Sequence, residues 1–224
     1  MPSTLRVLVP PARPAVSLAT VRQHVRVDNT GDDQLLALYT ETATATAEMF
    51  LSRALITQTL SWSSGEAPGL DPSTLFSRGI LPYGLSHAAP LIGARPLELP
   101  RSPVQEILSV ALSRPLTGWP DGDTAAIRVM DPASYRTELS SDPALLRFGG
   151  PAFFGGLGRA AWGQAVTITF MAGYGATEDL VPAPIRQAIL MQTASLYENR
   201  GDVASELSDV ATRLMYPYRI VSFG

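Results

Sequence analysis

Two helix-patterned blocks lie at opposite ends of this chain, residues 17–60 and 181–202, with a long region of strand, glycine and proline signals between them. Helices that far apart in sequence must meet in space to bury their apolar faces. The expected fold is therefore α+β: a small helical bundle built from the two ends, a β-rich insertion between them, and an extended C-terminal tail. The boundaries follow as an extended N-terminal arm (1–16), the N-terminal half of the bundle (17–55), the insertion with long loops (56–180), the C-terminal half of the bundle (181–214) and the tail (215–224).

Local signals support each piece. Residues 1–16 hold four prolines and read as extended. Ser17 suits a helix N-cap, and Leu18, Val21 and Val25 share one face of a helix to about residue 25. The stretch RVDNTGDD breaks it, and Asp32 or Asp33 opens a long second helix whose dipole an acidic residue complements. Leu35, Tyr39, Ala43, Ala47 and Phe50 recur there at about the helical period. The Thr/Ala run at 42–47 has weak helix propensity but small side chains, which permit close approach of a neighbour. From Ile56 the period falls to two, with Ile56, Leu60 and Trp62 on one side. Residues 63–96 read as a long loop or flap. Strands are expected at 104–112, 126–130, 135–139, 145–148 and 165–172, with Asp121-Gly122 as a turn and 148–163 as a glycine-rich loop. Prolines at 182 and 184 fit the first turn of the third long helix. Its apolar residues spread over two flanks, Ile185, Ile189 and Leu196 on one and Leu190, Met191, Ala194 and Tyr197 on the other, so both flanks should be covered. Residues 203–214 can form a last helix.

Composition excludes several functions. The chain has 224 residues, enough to bury a real core, and 46% of them are hydrophobic. Only 17% are charged, against roughly 25% in ordinary soluble domains, which points to a surface covered by something, most cheaply by copies of itself. All 17 basic residues are arginine, and the net charge is −3, which does not suit a general nucleic-acid coat. With no cysteine and two distant histidines, His24 and His87, neither disulfides nor a structural metal is expected. The N-terminal apolar run is short and broken by prolines, and nothing approaches a membrane span, so a soluble, cytoplasmically made protein without a membrane partner is expected.

Catalytic constellations are equally thin. Ser86-His87 in YGLSHAAP lacks the second glycine of a nucleophile elbow, and the glycines of 148–163 lack a Gly-Lys-Ser/Thr ending. Asp28, Asp32 and Asp33 lack calcium-loop spacing, and Arg200-Gly201-Asp202 is explained by a helix stop. Phe153, Phe154 and Trp162 read as anchors of a loop. No catalytic residue, cofactor or metal is assigned; the enzyme alternative is a hydrolase using Ser86 and His87. A carbohydrate-binding accessory using Trp62, Trp119 or Trp162 is a further alternative. The last residues differ from an ordinary terminus: Tyr216, Tyr218, Ile220, Val221 and Phe223 crowd five large side chains into eight positions. Such a segment can add to another protein's sheet edge, or pack back on its own bundle.

The ordered series LATVRQHVRVDNTGDDQLLALY, FLSRALITQTL, VTITFMAGYG, VPAPIRQAILMQTASLYENR and MYPYRI resembles the head–tail connector (adaptor) proteins of tailed bacteriophages and gene transfer agents. The resemblance spans both helical blocks, the strand before the second and the tail, while 63–96 and the glycine-rich loop look longer than the family pattern. It implies a non-enzymatic ring, typically twelve copies, in the virion neck beneath the portal protein, extending a channel for double-stranded DNA and presenting a platform to a tail or stopper protein. Another neck or tail-completion ring is the alternative within such particles. It further implies portal docking by Tyr216, Tyr218, Arg219, Ile220, Val221 and Phe223. Subunit contacts are expected at Tyr39, Ala43, Ala47, Leu190, Met191 and Tyr197.

Overall fold

The computed structural model describes residues 3–64, 96–113, 127–148, 165–199 and 207–220. The chain divides into two units: a helical one, residues 9–59, 100–103 and 172–224, and a sheet unit, residues 1–8, 60–99 and 104–171.

The helical unit begins where the sequence places it. Helix α1 spans Leu18–Val25, and the Ser17 hydroxyl accepts from the Thr20 N–H at 3.4 Å; Arg26, with φ 60°, ends it in a left-handed turn. Helix α2, Asp33–Leu51, has Asp32 as its N-cap and Asp33 in its first turn. Asp33 takes both oxygens to the Arg22 guanidinium, with Nε to Oδ1 at 2.7 Å, and so fastens α2 to α1. The low-propensity threonines are accommodated by a local device. Thr40, Thr42, Thr44 and Thr46 each donate to the carbonyl four residues earlier, at 2.7–2.9 Å. Every one of these hydroxyls is thus satisfied inside its own helix.

Helix α3 spans Ala183–Asn199, after a 3₁₀ turn at Glu178–Leu180. The Pro182 carbonyl accepts from Ile185 at 3.0 Å, so proline contributes the acceptor the first turn needs and withholds only a surplus donor. Helix α4 is Asp209–Met215, capped by the Ser208 hydroxyl on Ala211 N–H at 3.2 Å. The core buries Leu36, Ala43, Ala47 and Leu51 of α2 with Ile185, Ala188, Ile189 and Leu196 of α3, and Ala211 and Met215 of α4. Two long-range bonds hold the ends of the bundle in register: the Tyr197 hydroxyl donates to Asp32 Oδ2 at 2.7 Å, and Ser17 N–H donates to Glu178 Oε2.

One sequence expectation changes here. The buried stripe of α2 is Leu36, Thr40, Ala43, Ala47 and Leu51, while Leu35, Tyr39 and Phe50 are only half-buried on its flank. Within the extended residues 1–16, Thr4–Val9 form a strand, and Ala15 and Val16 are buried in the helical core.

In the sheet unit, β1 (Thr4–Val9), β2 (Gln58–Ser64), β4 (Val104–Ser113), β5 (Ile127–Val129) and β8 (Ala165–Ala172) form a five-stranded sheet in the order β1-β2-β8-β4-β5. Strand β8 has the burial its alternation dictates: Val166, Ile168 and Phe170 are buried and Thr167, Thr169 and Met171 are half-exposed. Strands β4 and β5 run antiparallel with Ala111 opposite Val129 and Ser113 opposite Ile127. A three-stranded antiparallel sheet, β3 (Leu97–Glu98), β7 (Leu145–Phe148) and β6 (Tyr135–Glu138), pairs Leu97 with Leu146 and Tyr135 with Phe148. Ile56 precedes β2, making an isolated bridge with Gly175. The Asp121-Gly122 turn, the 148–163 loop beyond Phe148, and nearly all of 63–96 lie outside the described residues.

Candidate assembly surfaces

A helix leaves its last carbonyls without partners, and the end of α2 determines where the C-terminal segment goes. Ser52 turns into the left-handed region at φ 55°, which bends the chain away and exposes the Leu51 carbonyl. Ile220 N–H donates to that carbonyl at 3.0 Å. Arg53, largely buried, donates from Nε to the Tyr218 carbonyl, while its own carbonyl accepts from Arg101 Nη1 at 3.1 Å. The Arg219 guanidinium lies 5.0 Å from the Phe50 ring centroid, within cation–π range.

Part of the expected docking segment is held by the chain's own helical unit. Met215 ends a helix and is fully buried, Tyr216–Tyr218 form a 3₁₀ turn, and the chain becomes extended only at Arg219. Tyr218 and Ile220 are half-buried against the protein's own bundle, whereas Tyr216 is 66% exposed and Arg219 is exposed. Val221 and Phe223 lie outside the described residues.

The expected subunit contacts divide similarly. Ala43, Ala47 and Leu190 are buried in the core of the helical unit. Small residues at 43 and 47 do allow close approach, but the helix that approaches is α3 of the same chain. Tyr39, Met191 and Tyr197 are half-buried, and the Tyr197 hydroxyl is engaged with Asp32. The outward face of α2 is instead marked by Leu38 and Met49, 56% and 69% exposed, with Thr42 and Ala45 exposed between them. At 100° per residue, positions 38 and 49 lie about 20° apart on the helix, so they form one ridge. The internal bonds of Thr42 and Thr46 turn their polarity inward. Helical phase contained this signal: the face opposite Leu36, Ala43 and Ala47 should be polar, yet it carries Leu38 and Met49.

A cavity of about 460 Å³ opens between the proline-rich residues 10–16 and α2, lined among others by Thr40, Glu41, Thr44 and Glu48 with Ile56 and Gln58. Glu48 accepts from Leu55 N–H at 2.8 Å and from Gln58 Nε2 at 3.2 Å. Burial pushes its carboxyl above the usual range, against these two bonds and the Arg101 charge, which pull the other way. Among the described residues no three His, Cys, Asp or Glu side chains gather as a metal site. Ser86, His87, Trp119 and Trp162 lie outside the described residues. No described helix is long and apolar enough to cross a membrane.

No protein-family model matches the chain, and no curated protein matches it in sequence. Solved structures do. A chain in the neck of an empty gene transfer agent particle, computed with C6 symmetry, superposes with a TM-score of 0.66 at 21% identity, covering 98% of this chain and 97% of that one. A chain of the native particle's neck, computed with C12 symmetry, superposes at 0.65 and 20% identity, with 98% and 97% covered. This chain has the fold of a gene transfer agent neck protein. A chain of the native virion gives the same result, TM-score 0.65 at 20% identity over 98% of this chain and 96% of that one. The likeness therefore takes in nearly the whole length of both chains. It agrees with the α+β class read from the sequence.

Proposed function

We propose that this protein is a structural subunit of the neck of a tailed, phage-like particle: a head–tail connector (adaptor) that forms a ring under the portal and catalyses no reaction. The single observation that carries the proposal is the full-length likeness to neck chains, 98% of this chain at a TM-score of 0.66. The ring extends the DNA channel and links the capsid to a tail or stopper protein, with twelve copies in the particle. The C12 symmetry of the native neck structure supports that copy number. A net charge of −3 suits a channel wall past which DNA moves without sticking.

Docking on the portal falls to the C-terminal residues. Because the bundle holds the chain through Ile220, the docking element starts at the Arg219–Ile220 exit and consists chiefly of residues 221–224. Tyr216, exposed beside this exit, flanks it. Deleting residues 221–224 should give a folded protein that no longer joins portal-bearing, DNA-filled heads to tails. Density for the protein directly beneath the portal, in images of particle necks, is the expected companion result. Normal joining by the truncated chain would remove the docking role, and density only at the tail-proximal end would favour another neck ring.

A further inference from the structure

Among the described residues the five-stranded sheet has two edges, β1 and β5, and neither resembles a protected edge. Natural edge strands are usually shielded by charges, proline, bulges or a covering element. Strand β1 reads TLRVLV with one charge, Arg6, and Val7, Leu8 and Val9 are 55%, 54% and 56% exposed. Since successive side chains point to opposite faces, these three values mean that neither face of β1 is covered there. On the other edge, Ile127 and Val129 are 66% and 67% exposed.

The backbone of β5 is also open. Met130 N–H donates to the Val110 carbonyl at 2.8 Å, so the peptide groups of Met130 point toward β4. By the two-residue alternation of a strand, those of Ile127 and Val129 point away from β4, toward the open edge. Their exposed side chains and outward peptide groups therefore lie together on a strand with no neighbour on that side among the described residues.

We infer that β1 of one subunit pairs with β5 of the next, so that the five-stranded sheets join edge to edge around the ring. This rests on the connector reading above. A ring needs a head-to-tail contact made by two different surfaces on each copy, since a self-complementary contact gives a dimer and stops. The two ends of one sheet provide such a pair by construction. Backbone hydrogen bonding at Ile127 and Val129 supplies register, and cross-strand contact with Val7, Leu8 and Val9 covers apolar surface on both partners. Closure of the ring satisfies both edges of every subunit, which explains how a chain with two open edges avoids indefinite polymerisation.

The absence of cysteine makes the test clean. Two doubly substituted full-length chains, Val7→Cys with Val129→Cys and Leu8→Cys with Val129→Cys, sample both faces of β1. Each is incorporated into particles and treated with a short bis-maleimide, then run on a denaturing gel. One of the doubles should give a ladder of multimers ending in a closed ring, while each single-cysteine chain remains monomeric. The pairing is overturned if both doubles stay monomeric in particles whose images still show the ring, or if a single-cysteine chain forms dimers. If no ring of this protein is present in particles made by the unsubstituted chain, the connector reading itself fails. A Leu8→Asp chain with unaltered melting provides a second measurement: it should lose ring occupancy, and full occupancy would also overturn the pairing.

Discussion

Where the fold ends and a docking tail begins can be measured by cutting the chain at two places. Removing everything after Arg213 takes away Met215, which is fully buried, and the Tyr218 and Ile220 backbone groups that hold Arg53 and the end of α2. Emptying a buried methionine site costs about 2–5 kcal/mol. The hydrogen bond from a charged donor such as Arg53 contributes about 1.5–3 kcal/mol, and the backbone hydrogen bond from Ile220 to Leu51 about 0.5–1.5 kcal/mol. Even the low ends of these ranges reach about 4 kcal/mol, against a typical domain stability of about 5–15 kcal/mol. Removing only residues 221–224 deletes none of these contacts and should change stability by no more than about 0.5 kcal/mol. Urea unfolding followed by far-ultraviolet circular dichroism separates the two. The longer truncation should unfold at much lower urea or be unfolded without it, while the shorter one should overlay the full-length curve. Coincident curves for all three chains would refute the anchored-segment reasoning. A large loss from the shorter cut would show that the fold extends to the last residue.

Three further outcomes follow from particular contacts. Tyr197→Phe removes the donor to Asp32 and should cost about 1–3 kcal/mol by urea unfolding; an unchanged midpoint would mean the bond adds nothing net. Gly173→Ala should be far worse, because φ is +137° and an added Cβ would sit 2.5 Å from the Ile56 carbonyl carbon and the Thr57 nitrogen. That clash is with backbone, so a loss of several kcal/mol, on the order of 4 or more, is expected, read as failure to accumulate folded protein. The Glu48 carboxyl, held above its ordinary pKa by burial, keeps its proton more readily folded than unfolded. Its contribution to stability is therefore greatest in acid and declines as pH rises from the ordinary glutamate value through the raised one. The stability of wild type relative to Glu48→Gln should fall across that window, and a difference independent of pH would contradict the assignment.

Much of the fold is legible in the sequence, and the departures have identifiable causes. Strands 145–148 and 165–172 can be read end to end, because Val166, Ile168 and Phe170 alternate without ambiguity and Gly173 and Gly175 enforce the stop. Helix α1 is legible through Ser17. The phase of α2 is not, because Leu35 and Leu36 are equally apolar neighbours and periodicity alone does not choose between them. What chooses is Thr40: its hydroxyl is absorbed by the Leu36 carbonyl, so a polar residue behaves as a buried methyl. The tail departs from its pattern for a different reason. Tyr218 and Ile220 alternate like a strand, but the acceptor that captures Ile220 belongs to Leu51, 169 residues earlier, and no local pattern announces it. Strand β1 is read as extended chain, but the prolines around it hide that this six-residue run belongs to a sheet.

The exposed apolar groups fall into two kinds, and the difference bears on how a ring could tolerate sequence change. The sheet edges offer peptide groups as well as side chains, so a contact there depends on register and is insensitive to which β-branched residue is present. The α2 ridge of Leu38, Thr42, Ala45 and Met49 offers only side chains, because every peptide group inside a helix is already bonded. A contact on that ridge follows shape, and a single substitution such as Met49→Glu alters it directly. In the proposed ring, edge pairing would fix the angle between neighbouring subunits, and hence their number. The ridge is then free to vary with whatever packs on it. A chain with only 17% charged residues is consistent with both surfaces being covered, since few charges remain to keep either one in water.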